Sequence, residues 1–138
     1  MNAVETIEIA VVGAHLSGMP LNYQLTELGA TLAVSPMTTP RYRLYALPFG
    51  VPPKPGLKRV ITGGVSIAVE LWSMPIHAVG AFLLQVESPL AIGSLELNSG
   101  QWVRGFVCEP WGLEDAEDVS SYGGWRAYMT SRSDTQGG

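Results

Sequence analysis

The apolar and polar positions divide the chain into short segments of differing period. Residues 5–12, ETIEIAVV, alternate at first and then turn wholly apolar, which predicts a strand entering a covered core. Gly13 ends it, and the run GAHLSG bends toward Pro20, a residue suited to the first turn of a helix. Leu21, Leu25 and Leu28 then recur at helical spacing until Gly29 offers a left-handed cap, which predicts a helix over 20–28. ATLAVS and RYRLYAL read as strands separated by the turn-prone PMTTP. The second sets Tyr42, Leu44 and Ala46 against Arg41, Arg43 and Tyr45, so one of its faces is wet or functional. PFGVPPKPG, with four prolines and two glycines in nine residues, predicts a surface loop of the kind that serves as a lid.

VSIAVELWSM has the strongest strand pattern in the chain, with Ser66, Ala68, Glu70 and Trp72 on one alternation and Ile67, Val69 and Leu71 on the other. Glu70 is thereby set among apolar neighbours. PIHAVGAFLLQV suggests a short helix opened by Pro75 and weakened by Gly80. SLELNSGQWVRGFVCE is a hairpin whose Asn98-Ser99-Gly100 supplies the positive backbone angles of a tight turn. LEDAEDVSSYGGWRAYM combines an acidic helical turn, a Gly-Gly break and an aromatic end, and TSRSDTQGG has nothing to bury and predicts a frayed tail. The sum is one domain over residues 1–129 with a flexible tail at 130–138. Its class is α+β, a mixed sheet curled into a barrel with a few short helices. No period of 20 to 50 residues points to a solenoid or propeller.

Composition narrows the function classes. With 46% hydrophobic and 14% charged residues over 138 positions the chain is globular. Twelve acids against eight bases, with no Lys/Arg cluster, leave no electrostatic footprint for nucleic acid or an anionic membrane. No apolar run approaches the roughly 20 residues that a bilayer span needs. A lone Cys108 and an N-terminus without a secretory pattern predict a cytoplasmic protein.

The chemistry centres on the bend. A strand ending in Gly13-Ala14-His15-Leu16-Ser17-Gly18 and feeding a helix gathers backbone N–H groups where the helix dipole also favours a negative group. The spacing matches neither phosphate-loop pattern, and many such bends bind nothing. The residue string carries more. GAHLSGMPLNYQLTELGATL, TTPRYRLYALP, PPKPGLKRV, VELWSMP, SPLAIGSLEL and GGWRAYM, in this order from about Ile7 to Met129, resemble the C-terminal domain of allophanate hydrolases.

That resemblance implies the gamma-glutamyl cyclotransferase-like fold, in which a loop at the end of the first strand grips the substrate through backbone amides. Gly13, Ala14 and Leu16 occupy that place. It also implies a reaction: allophanate hydrolases pair an amidase, which yields N-carboxycarbamate, with this domain, implicated in breaking that product down to ammonia and carbon dioxide. The chain has no room for the amidase's Gly/Ser-rich segment with its Lys and two Ser, so only the later step is implied. The partners expected are a small carboxylated substrate and either a separate amidase or a second copy of the chain, and the alternative to catalysis is a non-catalytic module that docks on such an amidase or on itself.

The resemblance implies a catalytic role for His15, whose imidazole can move a proton near neutral pH; otherwise His15 stabilises the turn. Asn22, Tyr23 and Gln24 can direct an amide or hydroxyl at a substrate, or form a polar helix face. Arg41 and Arg43 can each grip a carboxylate or pair with surface acids. Glu70 is a general acid or base if desolvated, or else a paired charge. Glu87 lies near the position of the cyclotransferase glutamate and would support a second activity, formation of 5-oxoproline from gamma-glutamyl amines. His77 and Cys108 lack partners at ligand spacing, so neither a metal nor another cofactor is expected. Trp102, Trp111, Trp125 and Tyr128 are expected to close a core or a dimer contact, and the acids of LEDAED to form a solvated turn.

Overall fold

The computed structural model describes residues 5–137; residues 1–4 and 138, which belong to the expected domain and tail, lie outside the described residues. Strand β1 (Thr6–Val11) is the middle of a five-stranded sheet that also contains β2 (Thr31–Val34), β5 (Glu70–Pro75), β6 (Leu90–Glu96) and β7 (Trp102–Cys108), in the order β2-β5-β1-β7-β6. β1 runs antiparallel to β5, with Val11 opposite Glu70, and parallel to β7, with Ala10 opposite Gly105. A side chain at Gly105 would stand 2.7 Å from the Ala10 carbonyl, so only glycine allows the two strands to approach. A second, three-stranded sheet has the order β4-β3-β8, from β4 (Pro55–Arg59), β3 (Tyr42–Ala46) and β8 (Glu117–Asp118).

The architecture is α+β with mixed pairing, as the patterns predict, but it is two sheets and no closed barrel among the described residues. Pro36 and Pro40 lack the N–H groups that a continuous ladder would need, and the chain from Met37 to Tyr42 pairs through the isolated bridges Met37–Ala68, Thr38–Leu97 and Tyr42–Val65 instead. The core lies between the sheets and the short helices, around Val11, Leu25, Leu44, Ile67, Phe82 and Leu95.

The predicted hairpin forms, with Glu96 opposite Trp102 and Gly100 at φ +89, and its first strand begins earlier than the pattern shows, at Leu90. The helix expected over 20–28 shortens to α1 (Tyr23–Thr26), because much of the segment around it is wound by i→i+3 bonds such as Met19 N–H to the Leu16 carbonyl and Gln24 N–H to the Leu21 carbonyl. Leu25 is nonetheless buried, and Gly29 caps the turn at φ +84. The strand expected over 65–74 starts only at Glu70. Pro55 and Gly56, expected in the loop, open the edge strand β4, where the proline's missing N–H is tolerated.

A single 3-10 turn (Ile76–Ala78) leads into α2 (Val79–Leu83). Where a frayed tail was expected, the backbone of 130–137 continues α3 (Trp125–Gly137), a helix anchored in the core by Trp125 and Tyr128 at i, i+3 spacing. Trp102 and Trp111, by contrast, are half exposed, the first beneath Arg59 and the second stacked on Phe49. Among the described residues no helix is long and apolar enough to cross a membrane.

Candidate functional site

The bend after β1 is held from three sides, and each fastening uses a residue that the sequence places nearby or far away. The Leu16 N–H donates to the Gly13 carbonyl at 3.0 Å and the Leu21 N–H to the Ala14 carbonyl at 2.8 Å, so the chain folds back on itself. Asn22 donates through Nδ2 to the His15 carbonyl at 2.8 Å. Gly13 meets Pro55 of β4 so closely that a Cβ there would overlap the proline ring. The Leu16 amide is therefore committed to the protein, which corrects its expected role as a substrate donor. Asn22 likewise spends its amide nitrogen on the bend.

His15 is 5% exposed, its ring stacked on Phe106 with centroids 4.7 Å apart and edge-on to Phe82 at 5.8 Å. Its Nε2–H donates to Gln24 Oε1 at 2.7 Å, which leaves Nδ1 as the basic nitrogen. Among the described residues Nδ1 has no protein partner, and it is not sealed from solvent. Burial pushes the imidazole below its ordinary 6.5; the Gln24 bond opposes this and the Lys54 ammonium adds to it. At neutral pH the ring is uncharged.

His15, Gln24, Tyr23, Lys54, Phe106 and Glu87 border one cavity of about 300 Å³. Gln24 and Glu87, singled out in the sequence for separate reasons, thus line the same cavity as His15. Lys54, from the proline-rich loop, is a cation that sequence reasoning missed, although the expected lid role of that loop was a signal. A constricted extension runs along Gly13 and Ala14 toward Pro55.

Glu70 lies on the other side of the bend. It is 7% exposed and accepts four side-chain and backbone donors: Ser17 N–H at 2.8 Å and Trp72 Nε1–H at 3.1 Å on Oε1, Ser17 Oγ–H at 2.8 Å and Arg126 Nη2–H at 3.1 Å on Oε2. Burial by itself would raise this carboxyl, but the Ser17 and Trp72 bonds and the Arg126 charge outweigh it and hold it below the ordinary 4.5. A carboxylate so saturated stays ionised and does not exchange protons near neutrality. The expectation that desolvation makes Glu70 a general acid or base is corrected on that ground. Ser17 and Arg126 were missed; Arg126 comes from the GGWRAYM segment, more than a hundred residues away in the chain.

The arginines singled out by alternation belong to neither side. Arg41 pairs with Glu96 at 3.6 Å, and Arg43 is held by Asp118 at 2.6 Å and by the Gly63 carbonyl. Arg43 pairs within the smaller sheet and Arg41 reaches across to Glu96 of β6 in the larger one, so the placement of the two as substrate ligands is corrected, and Asp118 of LEDAED is a paired strand residue instead of part of a solvated turn. His77 is exposed, and burial pushes the Cys108 thiol up. Among the described residues no three His, Cys, Asp or Glu side chains gather as a metal site.

Comparisons with known proteins bear on this geometry. Residues 7–130 match the family described as the allophanate hydrolase C-terminal domain. Urea amidolyase of Saccharomyces cerevisiae is 45% identical over 128 residues, which are 90% of this chain and 7% of that protein, so the chain spans a small fraction of its curated relatives. A structure of Kluyveromyces lactis allophanate hydrolase superposes with a TM-score of 0.89 at 44% identity, covering 92% of this chain and 21% of that one. A uropathogenic E. coli-specific protein aligns at 0.85 with 31% identity over 91% of this chain and 97% of its own. A gamma-glutamyl cyclotransferase aligns at 0.57 with 11% identity over 83% of this chain and 70% of that one, a likeness of fold alone.

Proposed function

The chain belongs to the allophanate hydrolase C-terminal domain family, and from that premise we propose that it breaks down a small carboxylated nitrogen compound, N-carboxycarbamate, supplied by an amidase. The yeast relatives carry this domain inside much longer proteins named urea amidolyase and allophanate hydrolase, which supports an amidase as the source, while the E. coli relative is of about this chain's own length. The observation that carries the reading is the cavity in which a buried, neutral His15 stands beside the Lys54 cation.

The chemistry needs a proton at nitrogen. As the N–C bond breaks, its electron pair stays on nitrogen, carbon dioxide departs and carbamate remains. A second protonation releases ammonia and the second carbon dioxide. Lys54 supplies a point charge for one carboxylate. The substrate's negative charge raises the affinity of His15 for a proton once bound, so Nδ1 is charged from water only when there is something to protonate. The Gln24 bond holds the ring with Nδ1 as the exchanging atom.

The test generates N-carboxycarbamate in place with a separate amidase domain and follows ammonia and carbon dioxide. The protein accelerates their release, and His15→Ala removes the acceleration by about a hundredfold or more, the scale of general acid–base catalysis. Release that proceeds equally with and without the protein overturns the proposal.

Glu87 favours a second reading, because it borders the same cavity as His15 on a fold shared with a cyclotransferase. Release of 5-oxoproline from gamma-glutamyl amines, abolished in Glu87→Gln, would establish it; no release across a substrate panel would remove it.

A further inference from the structure

His15 and Leu16 are neighbours in the chain, yet they face different cavities. His15 borders the smaller one, while Leu16 borders a larger one of about 690 Å³ floored by Glu70 and Arg126 at the start of α3. The wall between the two is the bend itself. Two residues beyond His15, Ser17 gives both its amide and its hydroxyl to the two oxygens of one carboxylate, at 2.8 Å each. Arg126 closes the arrangement, with Nη2 donating to the Ser17 carbonyl at 2.9 Å, to Ser17 Oγ at 3.3 Å and to Glu70 Oε2 at 3.1 Å. Every polar atom of Ser17 is thereby bound to this pair. The Trp72 indole supports the carboxylate from below, at 3.1 Å.

We propose that Glu70, with Ser17 and Arg126, is a positioning residue that sets the orientation of the His15 ring. The proposal rests on the reading of His15 as the group that works on the substrate, but its structural part stands apart from catalysis. Charge-assisted bonds are short and directional, and here two of them meet a single residue of the bend. Glu70 is the first residue of β5 and stands opposite Val11 at the end of β1, so its backbone is fixed by the central sheet. The clamp therefore refers the bend to the most rigid part of the molecule. Without it, the bend keeps its own short-range bonds, the Asn22 contact and packing on Pro55, Phe82 and Phe106, but no charge-assisted bond ties it to the central sheet and the His15–Gln24 bond loses that reference.

The experiment reads the His15 ring directly, by nitrogen and proton resonances of the labelled full chain, in the native protein and in Ser17→Ala and Glu70→Gln. The native ring shows one tautomer, protonated on Nε2, with ring protons displaced by the Phe106 stack. Both variants show mixed tautomers and ring-proton shifts moved toward those of free imidazole. Ser17→Ala changes no charge, so a response there reports geometry and not a field effect. It also loses only the hydroxyl's bonds, which keeps the test open should Glu70→Gln not fold. A ring signature identical to the native one in the folded variants overturns the proposal, whatever happens to the melting temperature. Where the native chain releases product, kcat in Ser17→Ala falls roughly ten- to a hundredfold at unchanged KM, the scale of misplacing a group by about an ångström. If the native chain releases none, the functional reading fails alone and the ring resonances still decide the clamp.

Discussion

A histidine beside a lysine, stacked on one phenylalanine and edge-on to another, has a definite preferred charge. Burial is the largest influence on His15 and favours the neutral ring, and Lys54 works in the same direction. Its titration followed by NMR is expected to have a midpoint below 6.5, and Lys54→Ala should move that midpoint upward. A midpoint at or above the ordinary value would mean that the ring is solvated and not buried against Phe82 and Phe106. At the same scale, Glu70 shows how burial misleads when the donors are not visible. Its alternation on a strand announces desolvation, but the sign of its shift is decided by donors from Ser17, Trp72 and Arg126, of which the strand pattern names only Trp72, and that as a neighbour on the same face and not as a donor.

Between elements, buried backbone groups are satisfied by side chains from distant segments. The Leu44 N–H of β3 donates to Ser120 Oγ at 2.7 Å, in a site where Ser120 is 2% exposed. Ser120→Ala leaves that N–H without its acceptor, and a loss of about 1–3 kcal/mol is expected, measured by denaturant unfolding. Stability equal to the native protein would show that another acceptor replaces the hydroxyl. Gly13 joins the bend to β4, and the methyl of Gly13→Ala would overlap the Pro55 ring. Overpacking of this kind costs about 1–3 kcal/mol, and because Pro55 follows Lys54, the movement that relieves it also displaces the cation from the cavity. The hairpin of β6 and β7 illustrates the opposite case: its turn, register and alternation are all local, and the pattern alone predicts it.

For the whole molecule, the signs of these shifts combine into one pH dependence. His15 binds its proton less readily folded than unfolded, so its contribution is complete above 6.5 and is lost as pH falls through the lower folded value. Glu70 is also depressed in the folded state. Its contribution is complete above 4.5 and fades as pH falls through its folded value, with Asp118, depressed from 3.8 mainly by its bonds to Arg43 and Ser120 against the opposing effect of burial, following in the same direction. Melting temperature is therefore expected to hold level from about 6.5 up to the alkaline range in which Cys108 and Tyr128, raised by burial from 9.0 and 10.0, begin to ionise, to decline below 6.5, and to decline more steeply in the carboxylate range. Glu70→Gln should lower the plateau and flatten the acid limb. An acid limb unchanged in that variant would show that Glu70 is not linked to folding.

The chain's own order of residues determined the class, the hairpin, the turn at Gly29, the exposed proline-rich loop and the place of His15 at the exit of the first strand, because each is written in local periodicity or in the backbone freedom of one residue. It also carried the family, through motifs such as GAHLSGMPLNYQL whose types and spacing persist along the chain. Only the tertiary structure decided which atoms meet. Arg126 reaches Ser17 across 109 positions, Arg43 is consumed by Asp118, and α3 persists past Met129 on the hold of Trp125 and Tyr128. Periodicity reports the face on which a side chain lies; the donors, charges and rings waiting opposite that face come from remote segments, and they set whether a carboxylate works as an acid or as a clamp.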